Sequence, residues 1–326
     1  MKKRGLLSTL VAVILVILVI LLAVVLRARG ETCDDVRVGG GKALAEVSWG
    51  PPGECYPPKM VAECLRLVRA IPGFGPVSPD ERAALASEAA RMSDKYGVRL
   101  GAGQLVSMRN MEVALAAQRC GTRAQRHGES ILAASRAGES VLAIAARHKL
   151  PPMTVLRQIL IEEGNSETEV RNLIASPGGL PPRLSREAQA IFEADLGSRL
   201  NADRIRMKSQ AYEDAVGAHL RGLGLDFETE DDLRRAHSAV AGLPLVTPDF
   251  LLRRPVSIDG RRVAWIDAKD YPAVDSRLVM TSLKKQAKKY TDRFGPGAFV
   301  FSGGVMCDSR TARLGALVLD GSHVTG

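Results

Sequence analysis

The pattern of apolar and polar positions divides the chain into an N-terminal apolar segment, a long helical region and a final region of alternating strands and helices. Residues 5–26 are apolar except for Ser8 and Thr9. A helix of about 22 residues can cross a bilayer core of about 30 Å, and it exceeds the usual apolar stretch of a signal peptide. The pattern predicts a transmembrane anchor over residues 1–30 and a Gly- and Pro-rich linker over residues 31–58.

Helical spacing of Ala, Leu, Arg and Glu predicts an all-helical domain over residues 59–203. Within it, residues 140–160 fit two short helices joined at Leu150-Pro151-Pro152, the arrangement of a helix-turn-helix. The expected apolar faces consist of Leu142, Ala145, Ala146, Val155, Leu156, Ile159 and Leu160. The polar side chains left to contact a DNA backbone are Arg147, Lys149, Thr154, Arg157 and Gln158. The alternative is a plain helical hairpin whose charged side chains are solvated.

After residue 203 the chain changes to short apolar runs separated by turn signals, which predicts an α/β domain on a small mixed sheet over residues 204–326. The predicted helices cover about 205–223 and 276–294. The predicted strands cover about 245–252, 262–268 and 298–302, with a further candidate over 314–319. Asp259-Gly260 is the turn signal of a hairpin between the first two strands.

Charge and cysteine content narrow the classes of partner. The 326 residues carry a formal net charge of +9, which favours an anionic partner, either nucleic acid or a lipid surface. An aromatic share of 4% argues against an RNA platform built on stacked rings. The five cysteines form no Cys-x-x-Cys pair, which argues against a zinc ribbon. We expect Cys307 to be a packing thiol, whereas Cys33, Cys55, Cys64 and Cys120 could pair in an oxidising compartment.

Two acids and a lysine fall on neighbouring predicted strands. Asp249 opens the first strand and Asp267 lies near the end of the second, so an antiparallel pair can bring both carboxylates to one end of the sheet. Alternation places Asp267 and Lys269 on the same face, with Ala268 opposite. Two carboxylates suit a hard divalent cation, Mg²⁺ or Mn²⁺, and Lys269 could steady an attacking water. The competing interpretation of Asp-x-Lys is an ordinary surface ion pair.

The two flanking helices add residues to this set. Glu213, on the helix before the strands, can turn toward the same cation as a third ligand. Gln286 and Tyr290, on the helix after them, share a face because they are four residues apart. Around them, four lysines form a basic patch that could contact a phosphate backbone: Lys284, Lys285, Lys288 and Lys289. Solvated helix surface is the alternative for the lysines.

These residues, in this order, resemble the PD-(D/E)xK nuclease superfamily, with Pro248-Asp249 and Asp267-Ala268-Lys269 as the signature. More narrowly, they resemble the TPD-motif family, the codanin-interacting nucleases. The residues that carry this resemblance are Thr247-Pro248-Asp249-Phe250, Trp265-Ile266-Asp267-x-Lys269 and the run from Gln286-x-x-x-Tyr290 to Arg293-Phe294-Gly295-Pro296-Gly297. Asp267 departs from the family, whose members carry Glu there.

The resemblance implies a helix-turn-helix followed by a restriction-endonuclease-like, magnesium-dependent nuclease domain, and a codanin-like protein partner. By position it implies catalytic roles for Asp249, Asp267, Lys269 and Glu213, with Gln286 in support. It also implies the nucleus or the cytoplasm, whereas the apolar segment predicts a single-pass membrane protein with its body on the cytoplasmic or nuclear side.

The sequence supports one main hypothesis and two alternatives. The main hypothesis is a metal-dependent nuclease acting on DNA, with RNA as the other candidate substrate. The runner-up is an inactive, membrane-tethered module with a nuclease fold that binds nucleic acid or protein. A periplasmic or luminal hydrolase fits less well, because the chain has neither a Gly-x-Ser-x-Gly elbow nor a His-Glu-x-x-His motif.

Overall fold

Twelve α-helices and one six-stranded sheet make up the part of the chain that the computed structural model describes, namely residues 44–50, 55–237, 246–273, 277–307 and 311–324. The helices are α1 Pro58–Arg69, α2 Pro79–Tyr96, α3 Ala102–Gln118, α4 Cys120–Arg126, α5 Gly128–Arg136, α6 Val141–His148, α7 Pro152–Glu162, α8 Glu167–Ala175, α9 Pro182–Glu193, α10 Arg199–Gly222, α11 Glu230–His237 and α12 Arg277–Phe294. The strands are β1 Glu46–Val47, β2 Phe227–Thr229, β3 Phe250–Ile258, β4 Arg261–Lys269, β5 Ala298–Phe301 and β6 Leu317–Asp320.

Helices α1 to α9 pack around two hydrophobic cores. One core lies among α1, α2 and α3 and contains Met60, Met92 and Leu105; the other surrounds α7. Local signals set the helix ends. Ser78 and Glu81 form a reciprocal capping box at the start of α2, which ends at Gly97 in the left-handed conformation.

The hairpin of α6 and α7 corrects the predicted helix-turn-helix. Its turn lies where expected, with Lys149 in the left-handed conformation and Pro151 before α7. However, α7 is the centre of a core: Met153 and Gln158 are buried together with Val155, Leu156, Ile159 and Leu160. A recognition helix needs an exposed face to enter a DNA groove. Arg157 and Ile161 are the exposed residues of α7, so the hairpin serves mainly in packing, and the prediction of Gln158 as an exposed contact is wrong.

The buried face of α6 also differs from the predicted one. Val141, Ile144 and Ala145 are buried, whereas Ala146 is exposed and Leu142 is only partly buried. The reason is that α6 is contacted by α9 as well as by α7, so the larger side chains decide which face turns inward.

The sheet has the strand order β1-β3-β4-β5-β6, with β2 pairing beside β1 on the same edge of β3. β3 and β4 are antiparallel, whereas β4, β5 and β6 are mutually parallel. Asp259 and Gly260 both have positive φ, 51° and 69°, as a two-residue hairpin turn requires. The predicted hairpin between β3 and β4 is thus present.

The first predicted strand differs in its bounds from the observed strand. β3 begins at Phe250 and continues through Pro255 to Ile258, with a shift in its register to β4 between Leu251 and Val256. Proline cannot donate a hydrogen bond to the neighbouring strand, so β3 is irregular at Pro255. A sequence pattern cannot distinguish such an irregularity from the end of a strand. Helix α10 likewise begins at Arg199 rather than near 205, because the Ser198 side chain caps it.

One helix packs on each face of the sheet. Tyr212, Val216 and Leu220 of α10 contact one face, and Leu283, Ala287 and Tyr290 of α12 contact the other. The two helices therefore flank the carboxyl end of β4. Within the segment predicted as a linker, β1 pairs with β3 and Trp49 is buried, so part of it packs on the sheet edge. The predicted domain boundaries remain predictions.

Cysteine pairing also differs from expectation. Cys55 forms a disulfide with Cys307, whereas Cys64 and Cys120 are buried free thiols. The prediction that Cys307 is a packing thiol is therefore wrong. The two partners are 252 residues apart, and their approach depends on tertiary contacts that no local pattern shows. Cys33 lies outside the described residues.

The membrane prediction requires correction. Residues 1–30, where the anchor was predicted, lie outside the described residues. Among the helices that the structure describes, none combines the length and the apolar character that a bilayer crossing needs. The described residues thus correct the predicted fold class to one without a transmembrane helix among its described helices, and they give the predicted single-pass location no support. The fold class supported by the described residues is mixed α/β.

Candidate active site

The register of β3 and β4 brings Asp249 and Asp267 to the same end of the sheet. Phe250 pairs with Ile266 in this antiparallel ladder, so Asp249 lies opposite Asp267. The backbone N–H of Ala268 donates to Asp249 Oδ2 at 2.7 Å. Only 1% of Asp267 is exposed. The hairpin therefore holds two carboxylates together in a largely buried setting.

Lys269 lies beside these acids. Because side chains alternate along a strand, Lys269 shares the α12-facing side of β4 with Asp267, and its Nζ contacts Asp267 Oδ1 as an ion pair. Its Nζ also lies 5.5 Å from the centre of the Phe299 ring. The lysine side chain is 15% exposed. One edge of the ion pair can thus be reached from the end of the sheet.

A hydrogen-bonded chain from α12 fixes the Asp267 carboxylate. Gln286 Nε2 donates to Asp267 Oδ2 at 3.0 Å and to the Tyr290 hydroxyl at 2.8 Å. The Tyr290 hydroxyl in turn donates to the backbone carbonyl of Thr247 at 3.0 Å. The chain links three separate segments, namely α12, β4 and the residues before β3.

Glu213 reaches the site from α10 on the opposite face of the sheet. It lines a cleft of about 330 Å³ that also contains Asp249 and Arg221. Five acids line this cleft in all, which are Glu213, Asp214, Glu230, Asp231 and Asp249. Such a concentration of negative charge favours bound cations over anions.

Burial and mutual repulsion shift the acid equilibria. Burial, followed by the charges of Asp267 and Glu213, raises the pKa of Asp249 well above its ordinary value. Burial, Asp267 and Glu230 also raise the pKa of Glu213. Burial alone would lower the pKa of Lys269, but the neighbouring negative charges, led by Asp267, raise it overall. The carboxylates are thus coupled, and a cation between them would relieve their repulsion.

The donor chemistry of the pair fits a hard divalent cation. Mg²⁺ is commonly held by one or two carboxylates together with waters and substrate phosphates. Asp249 and Asp267 supply the two carboxylates. Within the described ranges, no three or more His, Cys, Asp or Glu side chains converge as a metal-binding group. Glu213, predicted as a third ligand, is therefore placed beside the pair rather than in a closed cluster.

The predicted nucleic-acid contacts fall in different places. Lys284, Lys285, Lys288 and Lys289 are exposed on α12, and Lys288 pairs with Asp292. Tyr290 is buried and supports Gln286, so it has no surface to offer a substrate. Arg147 is exposed and paired with Glu139, and Arg157 is exposed on α7 in the helical part.

Residues that sequence reasoning did not place in the site include Thr247, Glu230 and Arg221. The Thr247 hydroxyl donates to Glu230 Oε1 at 2.9 Å, so this threonine joins both flanks of the cleft. Thr247 belongs to the Thr-Pro-Asp-Phe motif, and this signal could have identified it. Glu230 and Arg221 carried no such signal, because an acidic run and a helix-end arginine are typical of ordinary surfaces.

The fold and the site together define a mixed α/β protein with a buried carboxylate–lysine cluster at the end of its central hairpin. Residues 181–321 match the model of the family described as "Protein of unknown function TPD sequence-motif". This part of the chain is therefore similar to that family, and the chain also matches a protein named CDAN1-interacting nuclease 1.

Two curated relatives illustrate the similarity. Uncharacterized protein L539 of Acanthamoeba polyphaga mimivirus is 40% identical over 122 residues, which is 36% of this chain and 42% of the relative. CDAN1-interacting nuclease 1 of Danio rerio is 34% identical over 111 residues, or 34% of this chain and 35% of the relative. The chain therefore spans less than half the length of these relatives. No solved structure matches it significantly.

Proposed function

We propose that this chain is a divalent-metal-dependent nuclease that hydrolyses phosphodiester bonds in DNA, with RNA as the other candidate substrate, and that its α/β part is a PD-(D/E)xK domain. The observation that carries the proposal is the contact of the buried Asp267 carboxylate with Lys269, with Asp249 held opposite on the paired strand. Burying charged groups is costly unless they serve a site or are well paired. The name of the Danio rerio relative supports the same activity.

Asp249 and Asp267 would hold the ion, which we propose to be Mg²⁺ with Mn²⁺ as a substitute. When bound, such an ion lowers the pKa of a water and neutralises charge on the phosphodiester. Support comes from the raised pKa of Asp249, since burial beside a second carboxylate makes the pair a poor host for two bare negative charges. Glu213 would complete the site from the α10 side or bind a second ion.

Lys269 would orient the attacking water and stabilise negative charge on the phosphoryl oxygens. Its ammonium group is held beside Asp267, and the raised pKa keeps it protonated at neutral pH. Gln286 would act as a positioning residue, because its side-chain amide fixes the second oxygen of Asp267. Tyr290 would hold Gln286 in that orientation.

A codanin-like protein is the proposed partner. The support is the name of the Danio rerio relative, which describes a protein that interacts with CDAN1.

Cleavage by the full chain tests the proposed activity. We would incubate it with single-stranded DNA, duplex DNA and RNA, with Mg²⁺, with Mn²⁺ and with chelator, beside the variants Asp267→Asn and Lys269→Met. We expect metal-dependent cleavage that falls by about 100-fold or more in both variants, as for the loss of a group that stabilises transition-state charge. Asp195→Asn is the matched control, a buried aspartate of the helical part that accepts from Met153 N at 2.8 Å.

Two results would argue against the proposal. Cleavage that persists in Asp267→Asn, with folding verified by circular dichroism, would place the chemistry elsewhere. Tight nucleic-acid binding without cleavage under any metal would favour an inactive binding module with a nuclease fold.

A further inference from the structure

One face of α10 continues beyond the cleft in both directions. Within the cleft this face presents Gln210, Glu213 and Gly217. Side chains three, four and seven residues apart share a helix face, so the same face extends toward the N-terminus of α10 through Arg206 and Arg199. At the other end it reaches Arg221, which lines the cleft itself. The acidic centre of the face is therefore flanked by arginines.

The N-terminal half of α10 is open to solvent. Arg199 and Arg206 have side chains that are 78% and 77% exposed, and Met207 between the two packed regions is 72% exposed. The helix is held at its ends, by Asn201 hydrogen bonds to the carbonyls of Phe192 and Asp195 and by the packing of Tyr212, Val216 and Leu220 on the sheet. Almost three helical turns lie between these anchors. In this stretch Lys208 pairs with Asp270 at 3.0 Å, whereas Arg206 and Met207 remain open to solvent.

Acids lie at the centre of this face and arginines lie on either side of them. This arrangement suits a polyanion that contacts both flanks better than a single small anion. The cleft centre carries five acids and a single base, Arg221, so a phosphodiester would be repelled there without help from its flanks. At about 1.5 Å per residue, Arg206 lies about 10 Å and Arg221 about 12 Å from Glu213 along the helix axis. One strand of duplex DNA carries a charge about every 3.4 Å of axis, so these distances correspond to about three phosphates on either side.

We propose that Arg206 and Arg221, with Arg199 beyond them, bind the phosphate backbone of a nucleic acid on both sides of the acid cluster. The inference rests on the proposed function for the nature of the ligand. It adds the path of the substrate, which runs along α10 across the cleft.

The contacts of these arginines within the chain orient their side chains but are weak enough to be displaced by phosphate. Asp203 pairs with Arg206 at 2.9 Å and with Arg199 at 3.9 Å. Exposed ion pairs of this kind contribute little, about 0–1 kcal/mol, so phosphate can displace them. Arg221 lies over the Phe227 ring at 5.2 Å, which orients its guanidinium beside the cleft. The basic side chains are thus placed before the substrate arrives.

Binding measurements on the full chain separate this surface from general charge attraction. The probes are a fluorescent 20-base-pair duplex and a single strand of the same length, titrated at salt concentrations from about 50 to 200 mM in an Asp267→Asn background, which removes cleavage. The test variants are Arg206→Gln and Arg221→Gln. The matched control is Arg204→Gln, an exposed arginine on the same half of α10 that faces away from the cleft.

We expect each test variant to weaken duplex binding by about tenfold near 0.1 M salt and to reduce the salt slope by about 0.9, as for the loss of one phosphate contact. Arg204→Gln should leave both quantities close to the parent values. A slope change of about 0.7 confined to the single strand would identify single-stranded nucleic acid as the ligand.

Equal losses in Arg204→Gln and Arg206→Gln, or no loss in the test variants, would overturn the proposed surface. Cleavage by the wild-type chain decides the proposed function separately. If the wild-type chain cleaves but Arg206→Gln and Arg221→Gln bind as tightly as the parent, the nuclease proposal is supported and the proposed binding surface is wrong. If the wild-type chain does not cleave but its binding depends on both arginines, the proposed binding surface is supported and the nuclease proposal is wrong.

Discussion

Trp265 connects the packing of the sheet with the geometry of the candidate site at the scale of single residues. It is fully buried on β4, and its Nε1 donates to the carbonyl of Gly295 at 2.9 Å. Its ring meets Tyr290 edge-on with the centroids 5.0 Å apart, and Tyr290 holds Gln286 against Asp267. The position of the Asp267 carboxylate therefore depends on a ring three contacts away.

Gly297 closes this packing from the other side. A Cβ atom added at Gly297 would lie 2.2 Å from Cδ2 of the Trp265 ring, far inside van der Waals contact. The ring is enclosed and cannot move aside without cost. We expect Gly297→Ala to lower the free energy of unfolding by about 1–3 kcal/mol, the usual cost of overpacking a core. Urea denaturation followed by circular dichroism measures the change.

Gly121→Ala provides the matched control, since a Cβ atom at Gly121 in α4 meets nothing within 4 Å. Alanine favours a helix over glycine by up to about 1 kcal/mol, so this variant should be neutral or slightly stabilised. Equal stability of Gly297→Ala and the wild-type chain would show that the sheet can shift away from the added methyl group.

At the scale of elements, Glu63 links α1 to α2. Its carboxylate pairs with Lys95 at 2.7 Å and Arg91 at 3.3 Å, and it accepts from the Tyr96 hydroxyl at 2.9 Å. The hydrogen bonds from Lys95 and Tyr96 lower the pKa of Glu63 to about 2 from an ordinary value of 4.5. This side chain thus holds the two helices together only while it is ionised.

We expect the resulting stabilisation to depend on pH in a defined direction. Because the folded-state pKa is depressed, the contribution is fully present above about pH 4.5 and is lost as the pH falls toward 2. Glu63→Gln should therefore be less stable than the wild-type chain at pH 7, and the difference should shrink steadily below pH 4.5. Denaturation at a series of pH values measures it.

Glu163→Gln, which alters an exposed glutamate at the end of α7, is the control for general charge effects. A difference between Glu63→Gln and the wild-type chain that stays constant from pH 7 to pH 2 would contradict the role of the ionised carboxylate.

How far the sequence predicts these elements depends on the range of the contacts that form them. Asp259-Gly260 signals its own turn, and Gln286 and Tyr290 share a face because of helix geometry, so both features are visible in local patterns. The buried side of α7 and the irregularity at Pro255 depend on neighbours that are distant in sequence. The position of Glu213 and Arg221 beside Asp249 likewise appears only once α10 is placed against the sheet.

At the scale of the whole molecule, the Cys55–Cys307 disulfide joins the start of the helical part to the loop after β5. Backbone hydrogen bonds accompany it, from Tyr56 N to the carbonyl of Val305 at 2.8 Å and from Cys307 N to the carbonyl of Tyr56 at 2.8 Å. The same loop pairs with Ala273, four residues after Lys269. The covalent link therefore fixes the segment beside the candidate site as well as α1.

A bond that closes a loop of 252 residues restricts the unfolded chain strongly. We expect reduction, or the double variant Cys55→Ala/Cys307→Ala, to lower the free energy of unfolding by about 2–5 kcal/mol, the usual cost of losing a native disulfide. Adding reductant to the double variant should change nothing further, which separates the disulfide from any effect on Cys64 and Cys120. If reductant leaves the wild-type denaturation curve unchanged, the hydrogen bonds of Tyr56 and Cys307 with the packing of Tyr56 suffice to hold the two segments together. A loss in this range would instead show that the cross-link adds stability beyond these hydrogen bonds, as expected from its restriction of the unfolded chain.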